Sequence, residues 1–240
     1  MKGFVISAMD YNEISAEIEM DYTWRYSEII FLRNILSDIP KEDKKDIYRK
    51  SLITMLYAHF EGFCKFVFSY YIEKINAQKY YRKELSPSLI AASMKHEFDA
   101  YANKDKKCKI FKTQLPDDSK LHEFSRRKDF VCAFQGFLEE IAYIPDDVVD
   151  TESNLKPIVL KKILFHLGFD VFIAQEFADT INCLLKYRNS VAHGENSIRM
   201  GISGKDYANI ESQTFELMQK IKELVAHALR DEIFLVKNIS

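Results

Sequence analysis

Apolar residues recur along this chain at helical intervals, in long runs parted by short polar breaks. Ile14, Ile18, Tyr22, Ile29, Leu32 and Leu36 repeat at roughly helical spacing, with Asp10 and Glu13 at capping-box distance ahead of them. The pattern predicts a first helix over about 11–37, ending before Pro40. Trp24, the single tryptophan, falls in mid-helix as a core or interface residue. After a charged hinge at 41–46, Ile53, Leu56, Phe60, Phe63, Val67, Tyr71 and Ile75 form a nearly continuous stripe, predicting a second helix over about 44–77. Pro157 opens and Gly168 closes a shorter apolar helix. Ile173, Phe177, Ile181 and Leu184 then share one face of a helix covering 171–186, with Asp170 as its cap. Ser203 and Asp206 have capping-box spacing for a last helix, about 205–231, striped by Ile210, Thr214, Leu217, Ile221, Leu224 and Ala228.

The middle of the chain has a different texture. Ser86-Pro87 starts a short helix reaching about 101, and another runs over about 121–143. Between them lies the basic loop 103–109, with Lys106, Lys107 and Lys109; the later helix carries Arg126 and Arg127. Basic residues outnumber acids from Lys79 to Lys128, so a local RNA-binding surface is expected here, against the commoner meaning of a solvated face. Phe111, Phe124 and Phe130 are more simply core residues than platforms for bases. The expected architecture is all-α: an antiparallel four-helix bundle from residues 1–78 and 156–240, with a mainly helical insertion at 79–155.

Composition agrees and removes several classes of function. Seven Gly and five Pro in 240 residues are too few for a turn-rich β fold. A net charge of −2 rules out bulk attraction to nucleic acid, leaving only a local patch. Cys64, Cys108, Cys132 and Cys183 are scattered, as are the six histidines, so neither a zinc pattern nor a cofactor is expected. Cys64 and Cys183 fall in apolar helical stretches as buried thiols. The start lacks a signal-peptide pattern and no apolar run is long enough to span a membrane; a cytoplasmic protein without membrane partner is expected.

Candidate chemistry concentrates at Tyr187-Arg188-Asn189-Ser190-Val191-Ala192-His193-Gly194-Glu195. Arg188 is the next position on the Ile181–Leu184 stripe, where a cation is costly unless something pairs with it. His193 lies five residues on, about 140° round an ideal helix. An arginine fork suits phosphate oxygens, and a histidine moves protons near neutrality. Together they can cleave RNA without metal, because the internal 2′-hydroxyl is the nucleophile. The plain alternative is that Arg188 pairs with a buried carboxylate and His193 sits against a helix C-terminus. Glu61, inside the most apolar part of the second helix, either pairs with Lys65 or orients Arg188 or His193. Gly62 marks a close helix contact, and His59 is a packed histidine rather than a catalytic partner.

Arg-Asn-x-x-Ala-His-Gly at the end of a penultimate long helix resembles the signature of the HEPN superfamily, all-α domains of toxins, defence proteins and RNases. Residues 51–65, SLITMLYAHFEGFCK, resemble the second helix of a branch found beside restriction and toxin–antitoxin loci. The resemblance implies a metal-independent endoribonuclease acting as a homodimer on RNA. It implies Arg188 at the phosphate, His193 for proton transfer, Asn189 orienting the site and Glu61 in support, with an antitoxin or defence-system partner. A non-catalytic HEPN-like module binding RNA or protein is the competing expectation.

Overall fold

The computed structural model describes residues 10–192 and 202–236. Nine α-helices form among them: α1 (Tyr11–Asn34), α2 (Glu42–Gln78), α3 (Pro87–Ser93), α4 (Lys95–Ala102), α5 (Ser119–Leu138), α6 (Pro157–Leu167), α7 (Phe172–Glu176), α8 (Ala178–Ala192) and α9 (Gly204–Arg230). No extended strand occurs among the described residues, only two isolated bridges. The fold is an all-α, antiparallel four-helix bundle of α1, α2, α8 and α9, with a mainly helical insertion between its second and third helices.

Local chemistry explains where most helices begin and end. The Asp10 carboxylate accepts the backbone N–H groups of Asn12 and Glu13 at 3.0 and 3.3 Å, capping α1. A 3-10 turn, Ile35–Asp38, finishes that helix before Pro40. Pro157 sits at the first turn of α6, and Gly168 ends it with a φ of 79°, a conformation that disfavours other residues. Ser203 accepts the Asp206 N–H at 3.1 Å at the start of α9.

Three boundaries differ from the periodicity. The expected helix over 171–186 is two helices, broken at Phe177, whose buried ring lies 4.8 Å beneath the Lys220 ammonium. The helix expected to reach 101 is interrupted at buried Met94. Helix α5 stops at Leu138 rather than 143, because the chain beyond it pairs elsewhere: Arg82 N–H donates to Glu140 O at 2.9 Å and Ala142 N–H to Tyr80 O at 2.8 Å.

Helix α2 lies at the centre of the bundle and packs on α1, α8 and α9. All seven residues of its expected stripe are buried. Four of the six in α9 reach full burial below 2 % exposure, while Leu224 stays half-buried and Val225 is buried beside it. Polar ties fix the helices against sliding. Buried Glu211 on α9 accepts from Arg33 on α1 and from the Tyr207 hydroxyl, each at 2.8 Å. At the lower end, Arg82 is 7 % exposed and joins the insertion together: it pairs with Glu97 at 2.8 Å and Glu140 at 3.0 Å, and donates to Ser93 O at 3.0 Å. Phe130 stacks among Phe98, Tyr101, Phe134 and Phe137, as core packing would have it. No described helix is long and apolar enough to cross a membrane.

His59 is buried as a packing residue, edge-on to Trp24 at 5.3 Å, with Nε2 3.0 Å from the Glu28 carboxylate. Burial pushes its pKa below the ordinary 6.5, outweighing the pull of Glu28. A folded-state pKa below the unfolded one means that the unfolded chain takes the proton first, so stability falls as pH drops through about 6.5. Urea midpoints should therefore decline from pH 7.5 to 5.5, and His59→Gln should flatten that decline. A second prediction concerns Tyr57, whose buried hydroxyl oxygen accepts the Leu155 N–H at 2.7 Å. Tyr57→Phe strands that N–H and should cost about 1–3 kcal/mol in urea denaturation.

Candidate active site

Helix α8 is anchored by its apolar face. Ile181 and Leu184 are fully buried, Leu185 is nearly so, and the Thr180 hydroxyl donates to Gln213 on α9 at 2.7 Å. The same stripe then reaches Arg188, which is half-buried, near the end of the helix. Its Nη1 donates to the Asn189 side-chain oxygen at 3.0 Å. Ser190 is buried, its hydroxyl bonded back to Tyr187 O at 2.8 Å, and Val191 is exposed. His193 and the Gly194–Glu195 continuation of the motif lie outside the described residues.

Across from α8, one turn of α2 supplies Tyr57 and Glu61. The Tyr57 phenol is held well above its ordinary pKa, chiefly by burial and next by the Glu61 carboxylate, while the Arg188 guanidinium works in the opposite direction. Glu61 and Arg188 thus act on one buried phenol, on facing helices. Among the described residues Glu61 forms no ion pair with Lys65 or with Arg188. Gly62 is the close contact with α1: a Cβ there would meet the Arg25 guanidinium at 2.7 Å. That guanidinium is itself bound by Asp21 at 2.7 Å and lies 4.5 Å above the Trp24 ring.

The arginines separate into two kinds. Arg25, Arg33, Arg49, Arg82, Arg127 and Arg230 each pair with a carboxylate, and Arg126 donates to two backbone carbonyls. Arg188 alone, among the described residues, has neither; its bond to a neutral amide leaves the cation uncompensated. The alternative of a buried carboxylate partner for Arg188 finds no such partner there.

The basic positions of the insertion fall elsewhere. Lys107 and Lys109 are exposed, and Lys106 stands 3.8 Å from Asp129. Arg127 is exposed and pairs with Glu123 one turn back. Arg126 is 9 % exposed and holds the 103–109 loop, donating to Tyr101 O at 3.1 Å and Lys106 O at 3.3 Å. His122, one turn earlier, is buried and accepts the Cys108 N–H at 3.1 Å. The structure does not bring this group to Arg188: α5 packs on α4 and on the 82–84 turn, whereas α8 packs on α2, α6, α7 and α9.

Sequence reasoning overlooked Tyr57 and Arg25. Tyr57 stands four residues before Glu61, so helical spacing alone placed it on the same face; its apolar neighbourhood disguised it as core. Among the described residues no group of three His, Cys, Asp or Glu side chains is arranged to hold a metal ion. Cys64 is buried, and burial pushes its thiol pKa well up; Cys183 is half-buried rather than fully so. Cys108 is pulled down by the Ser125 hydroxyl and by the backbone N–H groups of Ile110 and Phe111. Iodoacetamide at neutral pH should label Cys108 readily and reach Cys64 only after denaturation, as peptide mass spectrometry would show.

A family model described as RiboL-PSP-HEPN matches residues 20–227. Neither the curated proteins nor the solved structures compared with the chain gave a match.

Proposed function

The chain belongs to the RiboL-PSP-HEPN family, and we propose that this HEPN-type module is a metal-independent endoribonuclease. The observation that carries this reading is Arg188 at the end of α8, which has no carboxylate in ion-pair range among the described residues, is bonded to Asn189 and faces Tyr57 and Glu61. Leaving a half-buried guanidinium without an anion is costly, and a phosphate supplies the missing charge with the geometry an arginine fork prefers. In the proposed reaction His193 takes the proton of the 2′-hydroxyl. The 2′-oxygen attacks phosphorus, the bond to the 5′-oxygen breaks, and that oxygen takes up a proton from a protonated His193, its own or that of a second copy of the chain. Arg188 stabilises the charge that builds on the phosphorane oxygens. Products are a 2′,3′-cyclic phosphate and a 5′-hydroxyl end. Asn189 and Glu61 are positioning residues in this scheme, acting through Arg188.

The same reading includes assembly. Arg188 and His193 diverge by about 140° on an ideal helix, so two motif-bearing helix ends from a homodimer would pool both groups in one groove. Val191, inside the motif, is exposed where such a contact would form. A cytoplasmic toxin or anti-phage effector, held by an antitoxin or defence-system partner, is the biological setting that fits an RNase of this kind.

The test is direct. Purified protein should cut a mixed RNA pool in EDTA, leave 2′,3′-cyclic phosphate ends and spare the matching all-deoxy strands. Arg188→Ala and His193→Ala should each lower the rate by about a hundredfold or more while thermal melts stay unchanged. Arg188→Lys should also be impaired, because a point charge replaces a fork. Light scattering should give about twice the monomer mass. Parent-rate cleavage by both alanine variants would return the motif to a structural role.

A further inference from the structure

The insertion contains a cleft of about 1080 Å³ between α4, the loop after it and α5. It extends along α5 from Leu121 to Phe137, about 24 Å of helix. That length exceeds one nucleotide and matches a short stretch of strand.

Three features of its lining point to one chemistry. The first is charge. Of the cleft's carboxylates, Glu97 and Glu140 are engaged by Arg82, and Asp129 faces Lys106 at 3.8 Å. Exposed Lys107, Lys109 and Lys128 have no carboxylate in ion-pair range among the described residues. The cleft therefore presents cations in a protein of net charge −2. The second is a flat apolar face. Phe124 is 64 % exposed at the lysine end, outside the ring cluster that packs around Phe130. The third is an unsatisfied acceptor. Glu97 gives Oε1 to Arg82 at 2.8 Å, while its Oε2 is buried with no hydrogen-bond partner. A buried carboxylate oxygen without a donor is costly, and a turn of the Glu97 side chain toward the cleft it lines would offer that oxygen to the amino group of a nucleobase.

We propose that this cleft holds a segment of single-stranded RNA, with phosphates on Lys107, Lys109 and Lys128, one base against Phe124 and the amino group of another on Glu97. The cleft deepens the reading above by naming where the strand is gripped, and rests on it only for that strand being the substrate. Arg126 and His122 are the scaffold: both are buried, and both hold the loop that carries the lysines.

Fluorescence anisotropy with 2′-O-methyl decamers separates gripping from cutting, because such strands lack the attacking hydroxyl. The full chain should bind oligo-A and oligo-C better than oligo-U, whose base has no amino group. Lys107→Glu with Lys109→Glu should weaken binding about tenfold or more and flatten its salt dependence by about 0.7 per lost phosphate contact. Phe124→Ala should weaken binding about fivefold or more. Both changes lie on exposed side chains, so melts should match the parent. Glu97→Gln keeps an oxygen for Arg82 and places an amide donor where the free oxygen was. It should turn the preference toward oligo-U. Failure of every decamer to bind, or equal binding by the parent and the lysine and Phe124 variants, would overturn the proposal. Complete displacement of the decamer by equimolar AMP would also overturn it, showing a mononucleotide pocket. Loss of RNA cutting with decamer binding intact would count against the cleavage reading alone.

Discussion

Three helices of the bundle reach the core by packing on α2, and that dependence sets the layout of the whole molecule. A helix of 37 residues is about 55 Å long, enough to offer different faces to different partners along its length. Its buried set, from Leu52 to Ile75, covers more than one stripe, as a central helix requires. The middle of α2 faces α8 and places Tyr57 and Glu61 opposite Arg188. Its far end turns through Lys79, left-handed at φ 55°, into the chain leading to the insertion. From Glu61 to that turn is about 27 Å of helix, which keeps the two candidate sites apart.

Most arginines of this framework are paired with carboxylates, and that is what sets Arg188 apart among the described residues. Buried cations in an apolar bundle are tolerated when each is matched. Glu211 gathers Arg33 and Tyr207, Arg49 gathers Glu42 and Asp46, and Arg82 gathers Glu97 and Glu140. Among the described residues Arg188 is a half-buried guanidinium without such a pair, a departure from what most of the other described arginines show. On the reading proposed above, binding rather than folding completes the charge balance there. Glu97 in the insertion differs: its charge is matched by Arg82, and only its Oε2 lacks a hydrogen-bond partner.

Most of the fold was legible because its signals are local. Asp10, Pro157, Gly168 and Ser203 terminate helices through groups within a few residues, and the stripes of α2 and α9 need only periodicity. The breaks at Met94 and Phe177 and the early end of α5 depend on contacts from far along the chain, such as Lys220 over Phe177 or Glu140 with Arg82. Nothing near those residues announces them. The site shows the same divide. Arg188 stood out because an arginine interrupts an apolar stripe, whereas Tyr57 continues one and so stayed hidden. Arg126 was misjudged as a surface cation for a related reason: its carbonyl partners, 20 and 25 residues away, leave no trace in local charge patterning.

The near-neutral total charge conceals how unevenly the charges are arranged. In the insertion, Glu97 and Glu140 are engaged by Arg82, while Lys107, Lys109 and Lys128 face solvent with no carboxylate in ion-pair range among the described residues. Around 146–150 the arrangement reverses, with Asp146, Asp147 and Asp150 lining a shallow cavity against Glu73. A long anion approaching such a surface is repelled from one flank and attracted to another, and within about a Debye length that contrast orients it. With no strong net field, the protein gains little from non-specific attraction, so a strand bound as proposed above would be retained by short-range contacts. The proposed stacking on Phe124 and pairing with Arg188 are contacts of that type, and they would act only after a strand had found its register.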